Sequence, residues 1–247
     1  MDSLRSSTRP ALLWYSADGE RVELSGRVLD NWAAKTANLW VDELDLEAGD
    51  VVALGDEVHW RGLAVALGTW TMGAALRPAD PAGRGTPGDR AVVGLVNTDG
   101  TLPPLLEHVP AGARAVLLER PALSLGHRGE LPGEDALDYC AEIRSHADVY
   151  EGFEEPDPAG PALWAADAGE PPAHGELLAA ATALTAGREG TWGAAAAVHV
   201  PGRRMDAGFL LRVLGVLAGG RAAVVTDRDP QDPRWASVLE SENAVTF

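Results

Sequence analysis

Lysine and cysteine are nearly absent from this sequence. Its 247 residues hold one of each, Lys35 and Cys140, against nineteen arginines. A lone cysteine cannot close an internal disulfide or build a zinc site, and this fits a reducing, cytoplasmic setting. The six histidines show neither H-x-x-x-H nor H-E-x-x-H spacing, so no metal site is expected. No G-x-S-x-G elbow is present, and Cys140 sits beside Leu137 and Ile143, where a buried structural thiol is expected rather than a nucleophile. Positive charge is scarce as well. A formal net charge of −17 excludes sequence-independent binding to nucleic acid or to an anionic membrane, both of which need Lys/Arg patches.

Long apolar runs are missing too. Leu63 to Leu76 is broken by glycines and threonines, falls short of the roughly 20 residues a bilayer requires, and reads as a buried helix. Met1 to Pro10 is polar and leads into no signal-peptide core, so neither secretion nor membrane insertion is indicated. What is present is globular: 46% hydrophobic residues and eight tryptophans, of which Trp32, Trp40, Trp60 and Trp70 fall in apolar helical stretches and are expected to fill a core.

Taken in order, Leu12–Ser16 and Arg21–Leu24 flank an Asp18-Gly19 turn and predict a hairpin. Ser25 can cap a helix whose apolar residues recur through Leu44. A strand over Val51–Leu54, a helix over Val58–Ala75, and strands over Ala91–Val96 and Arg114–Glu119 follow, with a short helix over Leu102–Val109 between the last two. Gly83-Arg-Gly85-Thr-Pro-Gly88 spells the dinucleotide fingerprint, but it precedes a strand instead of opening a helix. Chance composition is therefore favoured and no cofactor is implied. Ala136–His146 predicts an amphipathic helix, and Glu151–Gly160 an acidic, solvated connector.

The stretch with the clearest layout is Pro161–Ala181: a strand over Pro161–Ala166, a Gly/Pro-rich loop over Asp167–Gly175, and a helix over Glu176–Ala186. Beyond it come a strand over Thr191–His199, a helix over Phe209–Leu217 capped by Asp206 and stopped by Gly219-Gly220, and a strand over Arg221–Thr226. A helix over Pro233–Glu240 and a strand over Ala244–Phe247 close the order. Asp227, Asp229 and Asp232 lack the turn glycine and closing glutamate of a calcium loop and read as helix-capping acids.

These elements resemble the amino-terminal part of the large domain of the adenylate-forming enzymes: acyl-CoA synthetases, luciferases and peptide-synthetase adenylation domains. The opening hairpin and helix, the Leu46, Gly49-Asp50, Val52 turn into a strand, Ala66 with Gly73-Ala74, and the turn at His199 and Gly202 follow the family's order. The family's phosphate loop reads Thr-Ser-Gly-Thr-Thr-Gly-x-Pro-Lys-Gly. Laid on it without a gap, Ala166 and Asp167 stand for Thr-Ser, Ala168 for Gly, Gly169 and Glu170 for the two threonines, Pro171 for the next glycine, Ala173 for the proline and His174 for the lysine. Gly175 alone is retained. Shifted by one residue, the lysine position falls on Pro172 instead. The later family motifs for adenine, ribose and the hinged lid have no counterpart.

The resemblance implies an α/β fold and a truncated, degenerate relative of actinobacterial type, and it places His199 near the family's acyl pocket. The plainer expectation for His199 is a strand-end histidine hydrogen-bonded to a carbonyl, and His174 is expected to be exposed. Bringing Asp167 or Glu170 to about 4 Å from a phosphate oxygen would cost on the order of 4 kcal/mol per charge pair, at an effective dielectric near 20. The expectation is a first α/β lobe over 1–160 and a second segment over 161–247, or one continuous domain. The function expected is that of a pseudoenzyme acting through an unidentified protein partner or by regulation, with no catalytic residue. Two alternatives stay open: a residual binder of an acyl group or nucleotide between strands 191–199 and 221–226, and half of a split acid-activating ligase, AMP-forming once a partner completes it.

Overall fold

The computed structural model describes residues 2–79, 83–152, 156–164, 172–227 and 232–247. Among them, ten strands are assigned: β1 (Pro10–Tyr15), β2 (Arg21–Ser25), β3 (Val51–Leu54), β4 (Ala75–Pro78), β5 (Asp89–Leu95), β6 (Arg114–Leu118), β7 (Leu137–Asp138), β8 (Ala197–His199), β9 (Ala222–Thr226) and β10 (Ala244–Thr246). They form two five-stranded sheets, ordered β10-β8-β9-β1-β2 and β4-β3-β5-β6-β7. Every pair is parallel except the β1–β2 hairpin. With strands alternating with helices, the chain is α/β, as the sequence predicts.

Contacts divide the chain into two units, one of residues 1–31, 57–60 and 176–247 and the other of 32–56 and 61–175. In the first, β9 is buried along its whole length, which accounts for its unbroken Ala-Ala-Val-Val-Thr run: a central parallel strand is covered on both faces. The hairpin turn closes through Ser16 N–H on Glu20 O at 3.0 Å, and Gly19 takes the positive φ of 98° that the turn requires. Trp14 is fully buried and its indole donates to Val58 O at 3.1 Å. Asp206 caps the Ala207–Ala218 helix by accepting from Phe209 N–H at 2.7 Å. Gly215 lets that helix close on the His174–Thr185 helix, since a Cβ there would lie 2.4 Å from Ala181 O. Asp232 caps the Pro233–Ser241 helix through Arg234 N–H at 2.9 Å.

In the second unit, Trp40 donates to Thr69 Oγ1 at 3.0 Å, and the Thr36 hydroxyl meets the fully buried Tyr139 hydroxyl at 2.7 Å. These bonds tie residues 32–44 of the Gly26–Leu44 helix, among them Thr36 and Trp40, to the rest of the unit. Arg61, 3% exposed, donates to the carbonyls of Glu119, Pro121 and Ala122 at 2.7 to 2.9 Å. Trp40 and Trp60 are buried as expected, whereas Trp32 and Trp70 are only half-buried.

Several boundaries differ from the sequence expectation. The apolar helix spans Trp60–Thr71 and not 58–75, because Gly73 turns left-handed (φ 85°) and Ala75–Pro78 becomes β4. Ala136–His146 is not one helix. Leu137–Asp138 extends the sheet, and Asp138 then caps a single helical turn, accepting from Cys140 N–H at 3.0 Å. Thr191 does not open a strand: Glu189–Trp192 is helical, Gly193 takes a φ of 53°, and β8 begins at Ala197. Within Pro161–Ala166, the described residues make isolated bridges only, Pro161 with Ala173 and Leu163 with Leu76. No helix among the described residues is long and apolar enough to cross a membrane.

Candidate functional site

Of the residues matched to the phosphate loop, Ala166, Asp167, Ala168, Gly169 and Glu170 lie outside the described residues, and His174 and Gly175 lie within them. The chain enters and leaves the loop side by side. Ala162 N–H donates to Pro172 O at 2.9 Å, Trp164 N–H to Leu76 O at 2.8 Å, and Trp70 Nε1 to Ala162 O at 2.8 Å.

The helix that follows begins at His174. A helix start binds an anion through its first backbone N–H groups, which have no partner within the helix. Here two of them are taken. His174 N–H donates to Gly160 O and Gly175 N–H to Pro158 O, each at 2.9 Å. The acceptors sit on a turn made by Asp157-Pro-Ala-Gly160, in which Asp157 Oδ1 accepts from Ala159 N–H at 2.9 Å and Asp157 O from Gly160 N–H at 3.0 Å. A Cβ on Gly175 would lie 3.1 Å from Pro158 O, so the smallest residue suits the contact.

His174 is half-buried and not exposed as expected. Burial holds its pKa below the usual histidine value, against the opposing effects of a hydrogen bond with Gly73 and the charge of Asp157. Its Nε2 is buried without a hydrogen-bond partner among the described residues. A neutral imidazole in the position that aligns with the family's lysine supplies no fixed positive charge.

His199 closes β8 and is 7% exposed. Its ring stands edge-on to Trp235, centroids 5.1 Å apart, and Nδ1 lies 3.5 Å from Thr246 Oγ1, a hydroxyl where a carbonyl partner was expected. Burial pushes its pKa down to about 4, so it is neutral at physiological pH. Gly202 faces the fully buried Phe209, and a Cβ on Gly202 would lie 2.4 Å from Phe209 Cδ2. The two residues therefore belong to packed surroundings. The strands expected to flank a pocket, 191–199 and 221–226, are adjacent over β8 and β9 and paired in register, Ala197 with Ala222 and His199 with Val224.

Other singled-out residues have structural explanations. The turn holding Gly83, Gly85 and Gly88 leads into β5, and Gly85 leaves room for Pro110, which a Cβ would approach to 2.5 Å. The buried Asp89 carboxylate accepts from Thr86 N–H at 2.6 Å and pairs with Arg77 at 2.5 Å. Cys140 is buried, and burial raises its thiol pKa. No group of three or more His, Cys, Asp or Glu among the described residues could hold a metal ion. Sequence reasoning missed the capture of the helix-start amides, although the Asp157-Pro-x-Gly160 turn signature that supplies the acceptors was there to read.

No family model matches the chain. A Mycobacterium tuberculosis (strain ATCC 25618 / H37Rv) protein, described only as a member of a numbered family, is 47% identical over 66 residues. That segment is 26% of this chain and 27% of the mycobacterial one. Among solved structures, a Brucella canis acyl-CoA synthetase superposes with a TM-score of 0.72 at 21% identity, covering 96% of this chain and 43% of that one. Apo MatB from Rhodopseudomonas palustris gives 0.62 at 15% identity, covering 94% and 44%. The nonribosomal peptide synthetase FmoA3 gives 0.66 at 17% identity, covering 98% and 24%. The chain thus shares the α/β fold of these proteins while spanning less than half the length of each.

Proposed function

We propose that this protein is a non-catalytic relative of the adenylate-forming enzymes that acts by binding a protein partner or by regulation. The observation that carries this reading is the start of the His174–Thr185 helix, where the Gly160 and Pro158 carbonyls already hold the amides of His174 and Gly175. A phosphate would have to displace both bonds before it gained either donor. The sequence works in the same direction, with carboxylates at Asp167 and Glu170 and no lysine in the loop. Lys35, the one lysine in the chain, is engaged elsewhere: its ammonium donates to His146 O and pairs with Asp148 at 2.8 Å.

The test is ATP–pyrophosphate exchange by the purified protein with a broad panel of acyl and aminoacyl acids. Exchange at background level is expected for every acid. Acid-dependent exchange clearly above background would overturn the proposal.

A further inference from the structure

We propose that the first unit carries a binding site for a small organic anion, one with an oxyanion head and a short apolar body, at the amino ends of β1, β8 and β9. A cavity of about 550 Å³ opens there, within the range that holds small ligands. Most of its lining residues lie at or shortly before strand starts: Arg9 and Pro10 at β1, Ala194 to Ala197 at β8, Arg221 and Ala222 at β9, with Glu242 ahead of β10. Ligands of open α/β sheets occupy the opposite, carboxyl edge. This site therefore lies at the other end of β8 from the turn at His199, and it stands or falls independently of the function proposed above.

The charge balance of the cavity points to an anion. The protein carries a net charge of −17, yet the cavity is lined by two arginines and one acid. That acid, Glu242, is already matched: Arg21 donates to it at 3.0 and 3.1 Å, as does the Tyr15 hydroxyl. Among the described residues Arg221 is held by neutral groups, with Nη2 on Gly193 O at 3.0 Å, Nη1 on Ala195 O, and its guanidinium 5.7 Å from the Trp192 ring centroid. Those two bonds use two of its five N–H donors and leave its charge uncompensated. The Arg9 guanidinium has no hydrogen bond or ion pair among the described residues. Two cations without carboxylate partners thus share one cavity, and the arginine fork suits an oxyanion. Leu13, Pro10 and the run of alanines supply apolar wall for the body of the ligand.

The test uses titration calorimetry and arginine Nε–Hε resonances, with hexanoate and hexyl phosphate as probes and hexanamide as the neutral control. At least one anion is expected to bind and to shift the Arg9 and Arg221 resonances, with hexanamide inert at about 10 mM. Whichever of the two binds more tightly identifies the head group. Arg9→Gln removes a solvent-facing side chain and is expected to leave the fold intact by circular dichroism while weakening the anion about tenfold or more. Arg221→Lys keeps the charge but loses the fork, and should weaken binding as well. The proposal is overturned if neither anion binds, if hexanamide binds as well as the anions, or if Arg9→Gln binds them with unchanged affinity.

Discussion

Replacing His199 by asparagine makes a sharp test of the geometry at the end of β8. The ring is 7% exposed, stacked edge-on against Trp235, and held neutral by burial with a pKa of about 4. In the unfolded chain the same group titrates near its ordinary value of about 6.5. Above that value both states are neutral and the titration contributes nothing to the pH dependence. As pH falls below it, the unfolded state takes up a proton that the folded state refuses, so stability is lost between about pH 6.5 and about pH 4. At about 1.4 kcal/mol per pH unit, the loss is about 2 kcal/mol by pH 5 and about 3 kcal/mol in all. His199→Asn lacks this titration. It should be less stable than the wild type at about pH 7.5 by about 1–3 kcal/mol, from lost packing, and that gap should close by about 2 kcal/mol at about pH 5. His174, also depressed by burial, is present in both proteins and cancels in the difference. Urea unfolding at the two pH values measures the gap, and proton resonances of the imidazole locate the titration directly. A gap that does not change with pH, or a His199 ring that titrates above about pH 6, would refute the argument.

Two other perturbations follow from packing. Gly202→Ala pushes a methyl group to 2.4 Å from a ring carbon of the fully buried Phe209. It should destabilise by about 1–3 kcal/mol in urea unfolding, whereas Gly133→Ala, which meets nothing within 4 Å, should be close to neutral. An equal effect of the two would show that Phe209 gives way. Cys140, 3% exposed with its thiol pKa raised by burial, should react with an aromatic disulfide reagent at least about a hundredfold more slowly in the native protein than in denaturant. Comparable rates would place the thiol at the surface.

What could be read from the sequence was whatever local chemistry decides. Asp18-Gly19 marked a hairpin, Asp206 and Gly219-Gly220 bounded a helix, and Asp232-Pro233 opened another, because turns and caps depend on residues close in the chain. The errors arose where composition is ambiguous. Leu63 to Leu76 carries no charge, and a buried helix and a buried parallel strand look alike in such a run; the left-handed Gly73 decides where one ends and the other begins. The amphipathic spacing of Ala136–His146 predicts a helix through Leu137, whereas Leu137 pairs with Val116 at a sheet edge. Sheet order was not legible at all, since β1 pairs with β9 about two hundred residues away.

The candidate site divides along the same line. The missing lysine and hydroxyls of the loop are facts of the sequence, but the fate of the helix-start amides depends on a turn that folds back from Asp157, and pairing at that distance leaves only a faint trace in residue order. The histidine turn gives a parallel lesson. At the carboxyl edge of the β8–β9 pair, where a sheet of this class offers its ligand site, a neutral His199 packs on Trp235, and Phe209 fills the space that Gly202 leaves. At the amino edge of the same pair a cavity opens, and Arg221 is anchored there by carbonyls. Ligand recognition needs both space and unmatched charge, and in this unit the two coincide at the amino edge.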